Sequence, residues 1–134
     1  SSEFYCPGSI VALEVDNKSP FAFNLPTKLP AYFINSSAFA ATGDGVRVIA
    51  RYAKENVLLS GWLLGAEKIA GKAAIVEFRI GQGKIILFGF RPQYRAQSLA
   101  TYPLLFPAGF LTATVLAFIM LGDAVREAFD PRLR

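Results

Sequence analysis

Ala73-Ala74-Ile75-Val76-Glu77-Phe78-Arg79-Ile80, then Gly81-Gln82-Gly83, then Lys84-Ile85-Ile86-Leu87-Phe88-Gly89-Phe90 is the stretch on which the fold turns. Two runs rich in β-branched and aromatic residues, separated by three residues with glycine at both ends, predict a β-hairpin. Glycine supplies the positive φ that such a turn needs. Gly81-x-Gly83 has no helix behind it, so it reads as the hairpin turn and not as a phosphate loop.

Upstream, Ser9-Ile10-Val11-Ala12-Leu13-Glu14-Val15 predicts a strand that ends in the turn formers Asp16-Asn17-Lys18-Ser19-Pro20. Phe21 to Leu29, with Pro20, Pro26 and Pro30 in or beside it, cannot sustain a helix and is expected as an irregular connection. Tyr32, Phe33 and Phe39 are expected to cover an edge of the core. After the turn Thr42-Gly43-Asp44-Gly45, the alternation in Val46-Arg47-Val48-Ile49-Ala50-Arg51-Tyr52 predicts a half-buried strand. Val57 to Gly65, nearly all apolar but interrupted by glycine, is expected to be a buried strand or strand-turn. Ala66-Glu67-Lys68-Ile69-Ala70 is expected to be a helical turn closed by Gly71.

Downstream of the hairpin, Arg91-Pro92-Gln93-Tyr94-Arg95-Ala96-Gln97 turns polar where the strand before it is apolar. In α/β folds the loops at the C-terminal ends of strands face ligands, which makes Arg91, Gln93, Arg95 and Gln97 the candidate residues for an anion or polar ligand. The alternative is a solvated loop leading into the next helix.

The chain has 134 residues, room for one domain with one sizeable core. Its net charge of +4 comes from scattered basic residues with acids between them, which lacks the dense basic stripe of a nucleic-acid footprint. There is no histidine, and Cys6 is the single cysteine. Ser-His-Asp and Cys-His catalysis are therefore impossible within the chain, and no zinc cluster can be assembled from one thiol and scattered acids. No catalytic residue, cofactor or metal is expected. Glu14, Asp16, Asp44, Glu55, Glu67 and Glu77 could act as bases in principle, but nothing in the sequence pairs them, and each reads as solvated surface. Cys6 reads as a small packed apolar residue. The opening, Ser1 to Gly8, has no initiator Met, basic segment or apolar segment and reads as the middle of something, which fits either a signal peptide upstream or a fragment excised from a longer chain.

From Ala96 to Gly122 no residue is charged. Tyr102 to Leu121 would make a helix about 30 Å long, enough to cross a bilayer. Pro103, Pro107 and Gly109 weaken its first turns and leave Ala108 to Leu121 as the expected helix. A helix apolar all round must be covered, either by lipid or by docking onto protein. If it spans, Arg126, Arg132 and Arg134 favour a cytoplasmic C-terminus, while Arg91 and Arg95 oppose this. Asp123, Arg126 and Glu127 would then form a juxtamembrane turn ended by Asp130-Pro131.

Leu58-Leu59-Ser60-Gly61-Trp62-Leu63-Leu64-Gly65 and Leu87-Phe88-Gly89-Phe90-Arg91-Pro92-Gln93-Tyr94-Arg95 resemble the C-terminal region of bacterial zinc carboxypeptidases of the carboxypeptidase A-like class. Cys6-Pro7-Gly8-Ser9 and Asn17-Lys18-Ser19-Pro20-Phe21-Ala22 extend the likeness to about residues 4 to 105. That region is similar to class I glutamine amidotransferases, so the resemblance implies an α/β, partly flavodoxin-like domain over 1–105, incomplete at its N-terminus, with a hydrophobic helix and charged tail over 106–134. Only the accessory region is resembled, and neither the peptidase's metal ligands nor an amidotransferase triad can be carried over. Leu111 to Arg134 instead resembles the end of dipeptide and oligopeptide ABC transporter permeases, through Leu121-Gly122-Asp123 and Asp130-Pro131-Arg132-Leu133-Arg134. A fusion, a frameshift join and a composite sequence all fit such a junction near Leu105.

The expected function is a bacterial, non-catalytic accessory or binding domain of a carboxypeptidase-type peptidase. The alternative is a membrane-anchored fragment linked to a peptide permease. The implied partners are an upstream peptidase domain or peptide-transport subunits, and a membrane, with no nucleic acid.

Overall fold

The computed structural model describes residues 3–95 and 97–129, with the side chains at 107, 108, 111 and 129 left out. Six strands form one sheet: β1 (Ser9–Val15), β2 (Lys28–Phe33), β3 (Val46–Tyr52), β4 (Leu58–Ser60), β5 (Ala73–Ile80) and β6 (Gly83–Phe88). The order is β2-β1-β3-β5-β6, with β4 also pairing with β1. β1 can serve three partners because it divides one edge between them. Leu13 to Val15 pair with β3, whereas Ile10 and Val11 pair with β4.

Every pairing among these strands is antiparallel. This differs from the parallel, helix-flanked sheet of the expected flavodoxin-like class. The physical reason lies in the connections. A parallel crossover needs a dozen or more residues and usually a helix. Here β5 and β6 are joined by a two-residue turn, and the links 16–27, 34–45 and 61–72, although long enough for a crossover, hold only short turns and a proline-broken segment and no α-helix, so each returns the chain on itself.

Directly paired residues share a face of a sheet, and the register therefore sorts the side chains. Leu13 faces Tyr52 and Leu29, Val15 faces Ala50, Ala50 faces Ile75, and Ile75 faces Phe88. These residues, with Val11 and Phe33, make the core face, covered by Phe21, Ala22 and Leu25. Phe33 packs edge-on against Tyr52 at 5.5 Å between ring centroids, and Phe4 closes over Phe33 at 6.0 Å. Cys6 is half-buried against this core and its thiol donates to the Phe33 carbonyl at 3.5 Å, in keeping with a packing role.

Four local expectations are corrected. The 21–29 connection gives way to a strand at Lys28, in spite of Pro30; β2 is an outer strand, where a missing N–H costs little. The apolar run 57–65 is not a buried strand: Val57 alone is buried, β4 is three exposed residues, and Trp62 is 68 % exposed. The hairpin turn is two residues, Gly81 and Gln82; Ile80 pairs with Gly83, and only Gly81 of the two glycines has positive φ. Glu77 is 2 % exposed and not solvated surface. The remaining strand assignments, and the helical turn at Ala66–Lys68 before Gly71, agree with the expectation.

A turn at Tyr102–Leu104 leads into helix α1 (Leu105–Phe129), longer at both ends than 108–121. Pro107 lies in its first turn, where the N–H would have no helical partner in any case. Asp123, Arg126 and Glu127 continue the helix as exposed residues. Asp130, Pro131, Arg132 and Arg134 lie outside the described residues.

Leu104 is buried in the core, but beyond it α1 touches the domain chiefly at the Pro20–Ala22 turn. Phe118, Ile119, Met120 and Leu121 are consecutive and all more than half exposed. At about 100° per residue these four point around the whole circumference, so α1 has no polar side there. Among the described residues no helix is long and apolar enough to cross a membrane; the unbroken run of described side chains, 112–128, includes Asp123, Arg126 and Glu127.

Candidate functional site

After β6 the chain crosses to the face of the sheet opposite the core. There the described residues 91–95 and 97–101 form a loop held by Thr101. The buried hydroxyl of Thr101 donates to the Pro92 carbonyl at 2.6 Å, and the Gln97 N–H donates to the Tyr94 carbonyl at 3.0 Å. All four sequence-predicted residues lie on or beside this loop.

Between the loop and the sheet lies a hollow of about 550 Å³. Ile10 of β1 and Pro30 and Tyr32 of β2 form its floor, which follows from the register: Ile10 pairs with Tyr32 and Ala12 with Pro30, placing these side chains together away from the core. Tyr94, Gln97 and Ser98 form the wall, with 99–101 closing one end. The Tyr32 and Tyr94 rings meet at 4.5 Å with a 34° tilt. The guanidinium of Arg95 lies over the Tyr94 ring, 5.2 Å from its centroid. Arg95 adopts φ of 50°, a left-handed conformation uncommon for a residue with a Cβ.

The Tyr32 phenol is fitted closely. A Cβ at Gly8 would come within 2.7 Å of its oxygen, and Gly8 has φ of 138°, so a glycine leaves the room this ring uses. Desolvation, and then the neighbouring Tyr94 phenol, raise the Tyr32 phenol above its ordinary value, while the positive charges of Arg95 and Arg91 act in the opposite sense.

The four predicted residues are therefore brought together unequally. Gln97 lines the hollow, Arg95 lies over the Tyr94 ring without lining it, Arg91 reaches Tyr32 through its charge, and Gln93 is exposed without lining it. Tyr32 in the floor and Tyr94 in the wall, whose rings touch, are not among the candidates that the sequence offers. Tyr94 lies within a segment that reads as a polar loop, and Tyr32 reads as core cover.

A second hollow, of about 640 Å³, lies on the core face between α1 and the free edge of the sheet. Lys84, Ile86 and Phe88 of β6 face Val115 and Leu116 of α1 across it, with Phe21 at one end. Glu77 is buried beside this edge, its Oε1 3.1 Å from Lys84 Nζ. Among the other sequence-named acids, Asp16 pairs with Arg47 at 3.3 Å, and Glu14, Asp44, Glu55 and Glu67 are exposed. Among the described residues no group of three or more cysteines and acids could hold a metal ion.

Comparison with known proteins bears on the permease part of the expectation. A stretch of 39 residues is 49 % identical to the oligopeptide transport system permease protein OppC of Bacillus subtilis (strain 168), 28 % of this chain. Part of the chain is thus similar to a peptide permease. The chain spans 13 % of the length of that protein. No family model matches the chain, and no solved structure matches it.

Proposed function

We propose that this chain is a non-catalytic β-sheet module that joins the membrane-embedded part of a peptide-transport system through helix α1. The observation that carries the reading is the exposed apolar circumference of α1 at Phe118 to Leu121. Water is a poor solvent for such a helix, and contiguous exposed apolar surface of this kind marks a contact with protein or lipid. One of the two threonines in its middle adds support: Thr114 returns its hydroxyl hydrogen to the Phe110 carbonyl at 2.8 Å, so it needs no water. The short likeness to an oligopeptide permease supports peptide transport as the setting.

The test compares the full chain with one ending at Leu104, which keeps the buried Leu104 and Thr101 in place. Both are expressed in bacteria, and membranes are extracted with alkaline carbonate. The full chain is expected to stay with the membrane, and the short chain to be released while keeping its β-type circular dichroism. Release of both would sink the reading.

A further inference from the structure

The hollow lined by the touching rings of Tyr32 and Tyr94 fits one class of small ligand. Its lining is mostly ring and aliphatic surface, the Arg95 guanidinium lies over the Tyr94 ring that lines it, the charges of Arg95 and Arg91 are both felt at Tyr32, and among the described residues no carboxylate lines it. Among the described residues neither arginine is ion-paired, whereas Arg47, Lys68 and Lys84 each hold an acid. Gln97 and Ser98 add amide and hydroxyl groups on the same wall. Ligand sites are typically concave, mostly apolar, and of about 300–1,000 Å³, with a few placed polar groups.

We infer that this hollow binds a small organic carboxylate with a flat apolar body, the body lying against Tyr32 and Tyr94 and the carboxylate meeting Arg95. Three features fit that occupant together. The apolar surface would gain from covering Ile10 and Pro30. The guanidinium offers planar, paired donors matched to a carboxylate, and stacking on Tyr94 restrains it before the ligand arrives. The room made by Gly8 lets Tyr32 take its place in the floor. A bare inorganic anion would meet Arg95 and leave the hollow unfilled. The site lies on the face of the sheet away from α1, and its existence does not depend on the membrane reading.

The experiment uses the full chain in a non-ionic detergent, with phenylacetate as probe, titrated by calorimetry and by the side-chain amide signal of Gln97. Saturable phenylacetate binding that shifts this signal is expected. Binding should weaken roughly tenfold or more in Arg95→Met, on the scale of a lost charged hydrogen bond, and remain unchanged in the exposed control Arg79→Met. The neutral analogue 2-phenylethanol should bind at least about tenfold more weakly, for the same reason. Tyr94→Leu, checked for fold by circular dichroism, should also lose binding. Equal binding of acid and alcohol, phosphate competing as well as phenylacetate, an unaltered Arg95→Met, or no saturation up to about 10 mM would each overturn the assignment.

Discussion

Glu77 and Lys84 are joined across the β5–β6 hairpin by a 3.1 Å ion pair whose acid is buried and whose base is not. The register explains the asymmetry. Glu77 sits opposite Ile86 on β6 and opposite Arg47 on β3, in the interior of the sheet, but Arg47 is engaged by Asp16. Lys84 lies nearer the turn and reaches back, its ammonium also 5.9 Å from the centre of the Phe21 ring. Glu77 Oε2 has no hydrogen-bond partner among the described residues.

Lys84→Met is therefore expected to destabilise the chain by about 3 kcal/mol, somewhat less where water reaches the acid, because it leaves a buried carboxylate alone. Glu77→Leu combined with Lys84→Met should recover most of that loss, since a buried pair replaced by apolar residues is often neutral or better. Urea unfolding of the two variants decides the matter, and equal losses in both would show that packing and not charge sets the cost.

Gly61 has φ of 101°, and a Cβ there would meet the Ser9 hydroxyl at 2.6 Å. That hydroxyl donates to the Trp62 carbonyl at 2.7 Å and accepts from the Trp62 N–H at 3.0 Å, fixing the segment after β4 against the start of β1. Gly61→Ala combines left-handed strain with the loss of these bonds and should cost about 2 kcal/mol in urea unfolding. Ser9→Ala, which keeps the backbone unstrained, should cost about half as much.

Tyr52 is fully buried, its hydroxyl donating to the Ser37 carbonyl at 2.8 Å, and burial pushes its ionisation well above the ordinary value of 10.0. Once the chain unfolds, Tyr52 ionises near the ordinary value. Above about pH 10 the unfolded state thus holds fewer protons than the folded state, and stability falls as pH rises, by up to about 1.4 kcal/mol per pH unit from this group. Tyr52→Phe should lose about 1 kcal/mol at neutral pH and show a shallower decline above pH 10. Chemical unfolding at pH 8 and pH 11 measures both effects.

The full chain incubated with zinc and peptide substrates is expected to release no C-terminal residue. It contains no histidine, and its described acids form no metal-holding group. Turnover measured by amino-acid release, and abolished by a chelator, would contradict the non-catalytic reading.

How far the sequence reaches is visible in particular residues. β1, β3 and the hairpin were legible because their apolar and β-branched runs are bounded by glycine and turn formers, a local signal. β2 was hidden by Pro30, whose tolerance depends on being in an outer strand, and no local pattern reports that. Of the candidate site, the Arg91 to Gln97 segment was legible as a polar break. Tyr32 was not, since it lies more than sixty positions earlier and joins Tyr94 only through strand pairing and the fold of the loop.

The sequence by itself determined that no imidazole or paired-thiol chemistry is possible within the chain, that the hairpin turns at Gly81, and that a charge-free stretch precedes the last turns of the helix. Those properties follow from residue inventory and from dihedral preferences, which act over a few neighbours. Tertiary structure alone decided that the sheet is antiparallel, that Glu77 is enclosed, and that two distant tyrosines meet in the lining of one hollow. Each of these depends on which strands pair and in what register, and register is fixed by burial summed over the whole sheet.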